Sequence, residues 1–198
     1  MKKLICVLLI SLLMIGCLNS KQLFSEKKVT MDDQIIEFPM ALSEFIKLTN
    51  ADLTFRGGSV LGSRDYVVLT SKDFQIGVYN DGKTEKALED CVVIGIMQSL
   101  KQVENGAEKI EFPEQLSVGM QSTVDELTSL FMKTGGIYGD THIGEGDDES
   151  VVLCGKRWMD LSSDWNEVSG NVLYPVRIVL EKDVITKIEM IFLNQISR

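Results

Sequence analysis

Ile36-Glu37-Phe38-Pro39-Met40-Ala41-Leu42-Ser43 returns 74 residues later as Ile110-Glu111-Phe112-Pro113-Glu114-Gln115-Leu116-Ser117. The same offset pairs Thr49 with Thr123, Asp52 with Glu126, Leu53 with Leu127 and Thr54 with Thr128. From Ile36 to Thr54 this makes nine identities in 19 positions, where ordinary residue usage supplies about one. A Gly-Gly pair follows in each stretch, Gly57-Gly58 and Gly135-Gly136. Self-similarity at a fixed period points to a tandem repeat. The expected boundaries are 34–106 for repeat one and 107–198 for repeat two.

Both stretches predict the same order of elements. Pro pushes the residue before it out of the α region, so Ile-Glu-Phe-Pro reads as a short extended entry. Leu-Ser then begins a short helical or turn segment. Thr49 and Thr123 are N-cap candidates, with Asp52 and Glu126 three residues on, the spacing of a capping box. Leu53 in one copy, and Leu127, Leu130 and Phe131 in the other, sit at helical spacing behind them. Glycine is expected to end each of these helices. Beyond it the period becomes two. Strands are predicted over Tyr66–Thr70, Phe74–Asn80 and Asp90–Gln98, then over Ser150–Met159, Asn171–Glu181 and Val184–Leu193. Val172, Tyr174, Val176, Ile178 and Leu180 share one face, with Arg177 and Glu181 on the other. Ile188, Met190 and Phe192 likewise oppose Lys187 and Glu189. The expected fold class is α+β: two tandem repeats, each a short helix pair followed by an antiparallel β-meander.

Composition is that of a folded protein: of 198 residues 44% are hydrophobic, 25% charged and only 3 are proline. With 20 Lys and Arg against 29 Asp and Glu, the formal charge is −9. Such a surface repels phosphate backbones, which argues against nucleic-acid partners.

The chain opens with basic Lys2 and Lys3, then a twelve-residue apolar run, Leu4 to Ile15, interrupted by Ser11. A transmembrane helix needs about 20 apolar residues, so this length suits the core of a signal peptide. Met14-Ile15-Gly16-Cys17 closes the run and resembles the lipobox of bacterial lipoproteins, with Met14 where Leu is usual. The resemblance implies a signal peptide over 1–16, cleavage before Cys17 and lipidation of Cys17, whose acyl chains would hold the protein to the bilayer. Residues 17–33 are expected to form a lipid-anchored linker. The implied location is the extracytoplasmic face of the cell membrane.

A helix pair and then a meander, twice over, is similar to β-lactamase-inhibitor-protein-like tandem domains. Ser117-Val118-Gly119-Met120, with Thr123-Val124-Asp125-Glu126-Leu127, also resembles the Gly-Met-Thr helix start of small outer-membrane-assembly lipoproteins of that shape. Gln121-Ser122 interrupts the motif and the first copy lacks Gly-Met. The resemblance implies a binding module and assigns no functional residue beyond Cys17.

Catalytic signals are scarce. His142 is the single histidine, and with Asp140 nearby it lacks a nucleophile elbow or reactive-cysteine signature; it reads as a solvated loop residue. Asp140, Glu145, Asp147, Asp148 and Glu149 lie among glycines, a composition calcium favours, but their spacing fails the EF-hand pattern and a solvated loop accounts for it. After export Cys91 and Cys154 remain, either as a disulfide or as separate buried thiols. Trp158 and Trp165 flank an expected loop, where they either anchor a partner or pack on their own sheet.

These observations lead to a non-enzymatic, membrane-anchored, protein-binding lipoprotein with neither cofactor nor metal. Trp158, Trp165, Lys156, Arg177, Lys187 and Glu189 are its candidate partner contacts, the last four as exposed sheet residues. The alternatives are a structural envelope component and, third, an enzyme built on carboxylates.

Overall fold

The computed structural model describes residues 27–54, 58–133, 141–143, 149–154, 158–159, 172–173 and 176–191. Strands β1 (Lys28–Met31) and β2 (Gln34–Glu37) form a hairpin. Its turn residues Asp32 and Asp33 both have positive φ, 50° and 58°, the conformation that two-residue hairpin turns require and that Asp tolerates. The end of the expected 17–33 linker is therefore strand and turn. Next come β3 (Met40–Ala41) and helix α1 (Leu42–Thr49). Asn50 ends α1 in the left-handed conformation, its N–H donating to the Ile46 carbonyl at 2.8 Å. The short strands β4 (Val60–Leu61) and β7 (Lys86–Ala87) pair with each other.

One large antiparallel sheet dominates the rest. It contains β5 (Tyr66–Thr70), β6 (Gln75–Tyr79), β8 (Val92–Ser99), β9 (Thr141–Ile143), β10 (Glu149–Cys154), β13 (Val176–Glu181) and β14 (Val184–Ile191). The order is β5-β6-β8-β14-β13-β10-β9, with β3 pairing β8 beside the end of β14. The pair β11 (Trp158–Met159) and β12 (Val172–Leu173) stands apart. Helix α2 (Leu100–Glu104) follows β8 behind a capping box of Ser99 and Gln102, and helix α3 (Val124–Lys133) precedes β9.

Two bulges set which residues reach the core. Ile94 is extra between the pairs Val78–Val93 and Gly77–Gly95, and Thr186 is extra between Leu180–Ile185 and Val179–Lys187. An extra residue inverts the alternation, so Val93 and Ile96 both enter the core, as do Ile185 and Ile188. Leu42 and Phe45 of α1, with Leu127 and Phe131 of α3, join the same cluster. That core draws on both halves of the chain.

The tandem-repeat expectation is therefore corrected. The described residues are mostly β-sheet and hold three helices rather than two helix pairs. The meander β5-β6-β8 and the second-half strands do not close separate units, because β8 and β14 pair and merge them. The repeated segments also differ in conformation. Met40-Ala41 is strand β3, whereas its counterpart Glu114-Gln115 lies in a 3-10 turn. Leu42–Thr49 is helix, but its counterpart Leu116–Thr123 is not. Gly119 turns the chain at φ 82°. Its N–H donates to the Ile185 carbonyl at 2.7 Å, and the Ile185 N–H donates to the Met120 carbonyl at 2.8 Å. That stretch is thus tied to β14 and is not helical.

The capping expectations divide the same way. Thr123 does cap α3: its Oγ1 accepts the Glu126 N–H at 3.2 Å, and Glu126 accepts the Thr123 N–H at 2.9 Å. Thr49 instead closes α1, donating to the Phe45 carbonyl at 2.9 Å. Leu53 belongs to no helix. Of the expected glycine caps, Gly58 has no helix before it among the described residues 50–54, and Gly57, Gly135 and Gly136 lie outside the described residues.

Candidate functional site

Strands β13 and β14 meet in a two-residue turn, Lys182-Asp183, with φ 51° and 61°. Alternation sends Val176, Ile178 and Leu180 to the helix-covered face, as expected from the sequence. Arg177, Val179 and Glu181 take the opposite face, and Arg177 stands directly across from Glu189. The Arg177 Nη1 donates to Glu189 Oε1 at 2.9 Å, and the Lys187 ammonium lies 2.6 Å from that same oxygen. Two cations thus share one carboxylate.

Arg177 is 7% exposed and Glu189 2%, so two of the expected exposed partner contacts are buried. Lys187 is partly exposed. Burial of this kind costs several kcal/mol per ion unless partners compensate, and compensation here is incomplete. Arg177 Nε and Glu189 Oε2 are buried without a hydrogen-bond partner.

Beside this cluster a groove of about 1190 Å³ crosses the sheet from the β5–β6 turn to β10, passing α2. Binding clefts for small ligands span about 300–1,000 Å³, so this one suits a larger, extended ligand. Val68, Met97, Leu100 and Val179 supply apolar lining. The charges are sorted along it. Lys72, Lys101 and Glu104 lie at the β5–β6 and α2 side, Arg177 and Lys187 in the middle, and Glu149 and Glu181 at the β10 side. Glu149 and Glu181 are directly opposed on β10 and β13, an arrangement that costs stability through like-charge repulsion.

The structure brings Arg177, Lys187 and Glu189 together but not the remaining candidates. Cys17, Lys156 and Trp165 lie outside the described residues. Trp158 is in β11, paired with Leu173. The His142 backbone belongs to β9, opposite Val151, and not to a loop. Asp140, Glu145, Asp147 and Asp148 lie outside the described residues, while Glu149 opens β10. Cys91 is a free, buried thiol 3.4 Å from the Ala87 carbonyl oxygen, which removes the bridge to Cys154. Burial holds its pKa above the usual thiol value. Among the described residues no three His, Cys, Asp or Glu side chains gather as a metal-binding set, and no helix is long and apolar enough to cross a membrane.

Comparison with protein-family models, curated proteins and solved structures finds no match. The site therefore rests on its own geometry. Reading the sequence missed Lys72, Met97 and Lys101, because only the pairing of β8 with β14 places them on the same groove as Arg177. The alternation around Arg177 and Glu189 was the one available signal.

Proposed function

We propose that this protein is a membrane-anchored, extracytoplasmic lipoprotein that binds a protein ligand in the groove across its sheet and performs no catalysis. The groove carries the reading. It is larger than a small-molecule cleft, combines apolar with charged lining residues, and borders a buried charge cluster. Attachment to the bilayer comes from the lipobox, with Cys17 as the acyl acceptor.

Two measurements test it. Metabolic labelling with a fatty-acid probe should mark the protein, and Cys17→Ala should abolish the label; unchanged labelling refutes the anchor. The full chain, extracted in detergent, should recover a specific protein from envelope extract. Thr70→Trp places bulk in the groove from an exposed position and should abolish that recovery. Recovery of envelope polymer alone, or a partner indifferent to Thr70→Trp, refutes the groove and favours a structural envelope component.

A further inference from the structure

The order of charges along the groove says more about the ligand. Six strands, β5-β6-β8-β14-β13-β10, lie beneath it. At a strand spacing of about 4.8 Å and a rise of about 3.3 Å per residue, an extended chain of about seven residues spans them. On the β5–β6 and α2 side Lys72 and Lys101 outnumber Glu104. In the middle Arg177 and Lys187 outnumber Glu189, and on the β10 side Glu149 and Glu181 stand without a cation among the described lining residues. The opposed pair Glu149–Glu181 is relieved by any cation placed between them.

The lining also sets the class of ligand. Among the described residues that form it there is no aromatic side chain, so it offers no stacking platform for bases. Cations at one end and carboxylates at the other match a polymer that carries both signs of charge in a fixed order, as a polypeptide does and a nucleic acid does not.

We propose that the groove holds an extended polypeptide segment lying across the strands, acidic at its end over Lys72 and Lys101 and basic at its end over Glu149 and Glu181. This rests on the groove being the binding surface, and it adds the charge order of the partner.

The test uses the full chain in neutral detergent micelles and terminally blocked synthetic peptides of about seven residues, read by fluorescence anisotropy. One peptide runs acidic to basic, one basic to acidic, one has the same charges interleaved and one is uncharged. One polar order should bind about tenfold more tightly than the interleaved peptide, and the preference should shrink with added salt. Lys72→Glu with Lys101→Glu, and separately Glu149→Lys with Glu181→Lys, should each weaken it about tenfold. The fourfold variant should prefer the opposite order, a gain that misfolding does not produce. Equal binding of all four peptides, no binding at about 1 mM, or affinity indifferent to the charge swaps overturns the inference. If no peptide binds while Thr70→Trp still abolishes capture of an envelope protein, the groove survives and the polar-peptide assignment falls. If neither responds, both fall.

Discussion

Arg177 and Glu189 face each other directly across β13 and β14, joined at 2.9 Å, and both are buried on the sheet face away from α1 and α3. They were expected to be surface contacts, and their burial turns a routine cross-strand pair into a high-stakes one. Removing one partner leaves the other charged and buried. Glu189→Ala should therefore destabilise the fold by about 3–5 kcal/mol in urea unfolding. The double variant Arg177→Met with Glu189→Leu should cost far less, because the charge it leaves unpaired, Lys187, is partly exposed to solvent. Equal losses in the two would show that packing, not charge, dominates the site.

Gln98 is fully buried in β8 and ties the connection between the two halves to the sheet. Its Nε2 donates to the Asp73 and Glu108 carbonyls at 3.1 and 2.6 Å, and its Oε1 accepts the Ile110 N–H at 2.9 Å. Gln98→Ala strands all three backbone groups and should cost about 2–4 kcal/mol by thermal or chemical denaturation. A loss below about 1 kcal/mol would mean that these groups find other partners.

Gly95 lies where β8 and β14 join the halves. A Cβ there would lie 2.6 Å from the Met190 carbonyl oxygen and 3.3 Å from Ile191 Cα. The backbone cannot yield without spreading the strands, so Gly95→Ala should destabilise by about 1–3 kcal/mol. Gly58, with nothing near its Cβ position, is the control, and Gly58→Ala should change stability little.

The Thr123–Glu126 capping box predicts a pH dependence. The backbone hydrogen bond from Thr123 comes first among the influences that hold Glu126 below its ordinary pKa of 4.5. A carboxylate depressed in the folded state stabilises above its unfolded value, and loses that contribution as pH falls through the folded one. The stability gap between the unaltered chain and Glu126→Gln should thus be present at neutral pH and close on acidification below about 4.5. Thr123→Ala should cost about 1 kcal/mol at neutral pH. A gap that widens in acid would contradict the assignment.

Reading the chain alone located several elements: Tyr66–Thr70 is strand as expected, α3 begins at its expected cap, and β13 and β14 flank the expected two-residue gap, while the hairpin β1–β2, β9 and α2 went unread. The burial of the repeated apolar residues is the same in both halves. Ile36, Phe38 and Leu42, and their counterparts Ile110, Phe112 and Leu116, all enter the core, because apolar area is removed from water whatever the backbone does. The conformation of those residues was not legible. Identical Ile-Glu-Phe-Pro segments lead into strand β3 in one half and into a 3-10 turn in the other, and paired threonines close one helix and open another. Local propensity is nearly degenerate between such states, and neighbours distant in sequence break the tie: Cys91, whose carbonyl accepts the Leu42 N–H, and Ile185, which holds Gly119 and Met120. The groove belongs to the same class of fact. Its residues come from both halves, and β8 against β14 alone brings Lys72 and Glu149 onto one surface. Periodicity records which side of a strand is apolar; the order of strands depends on which edges find each other, and only tertiary pairing determines that.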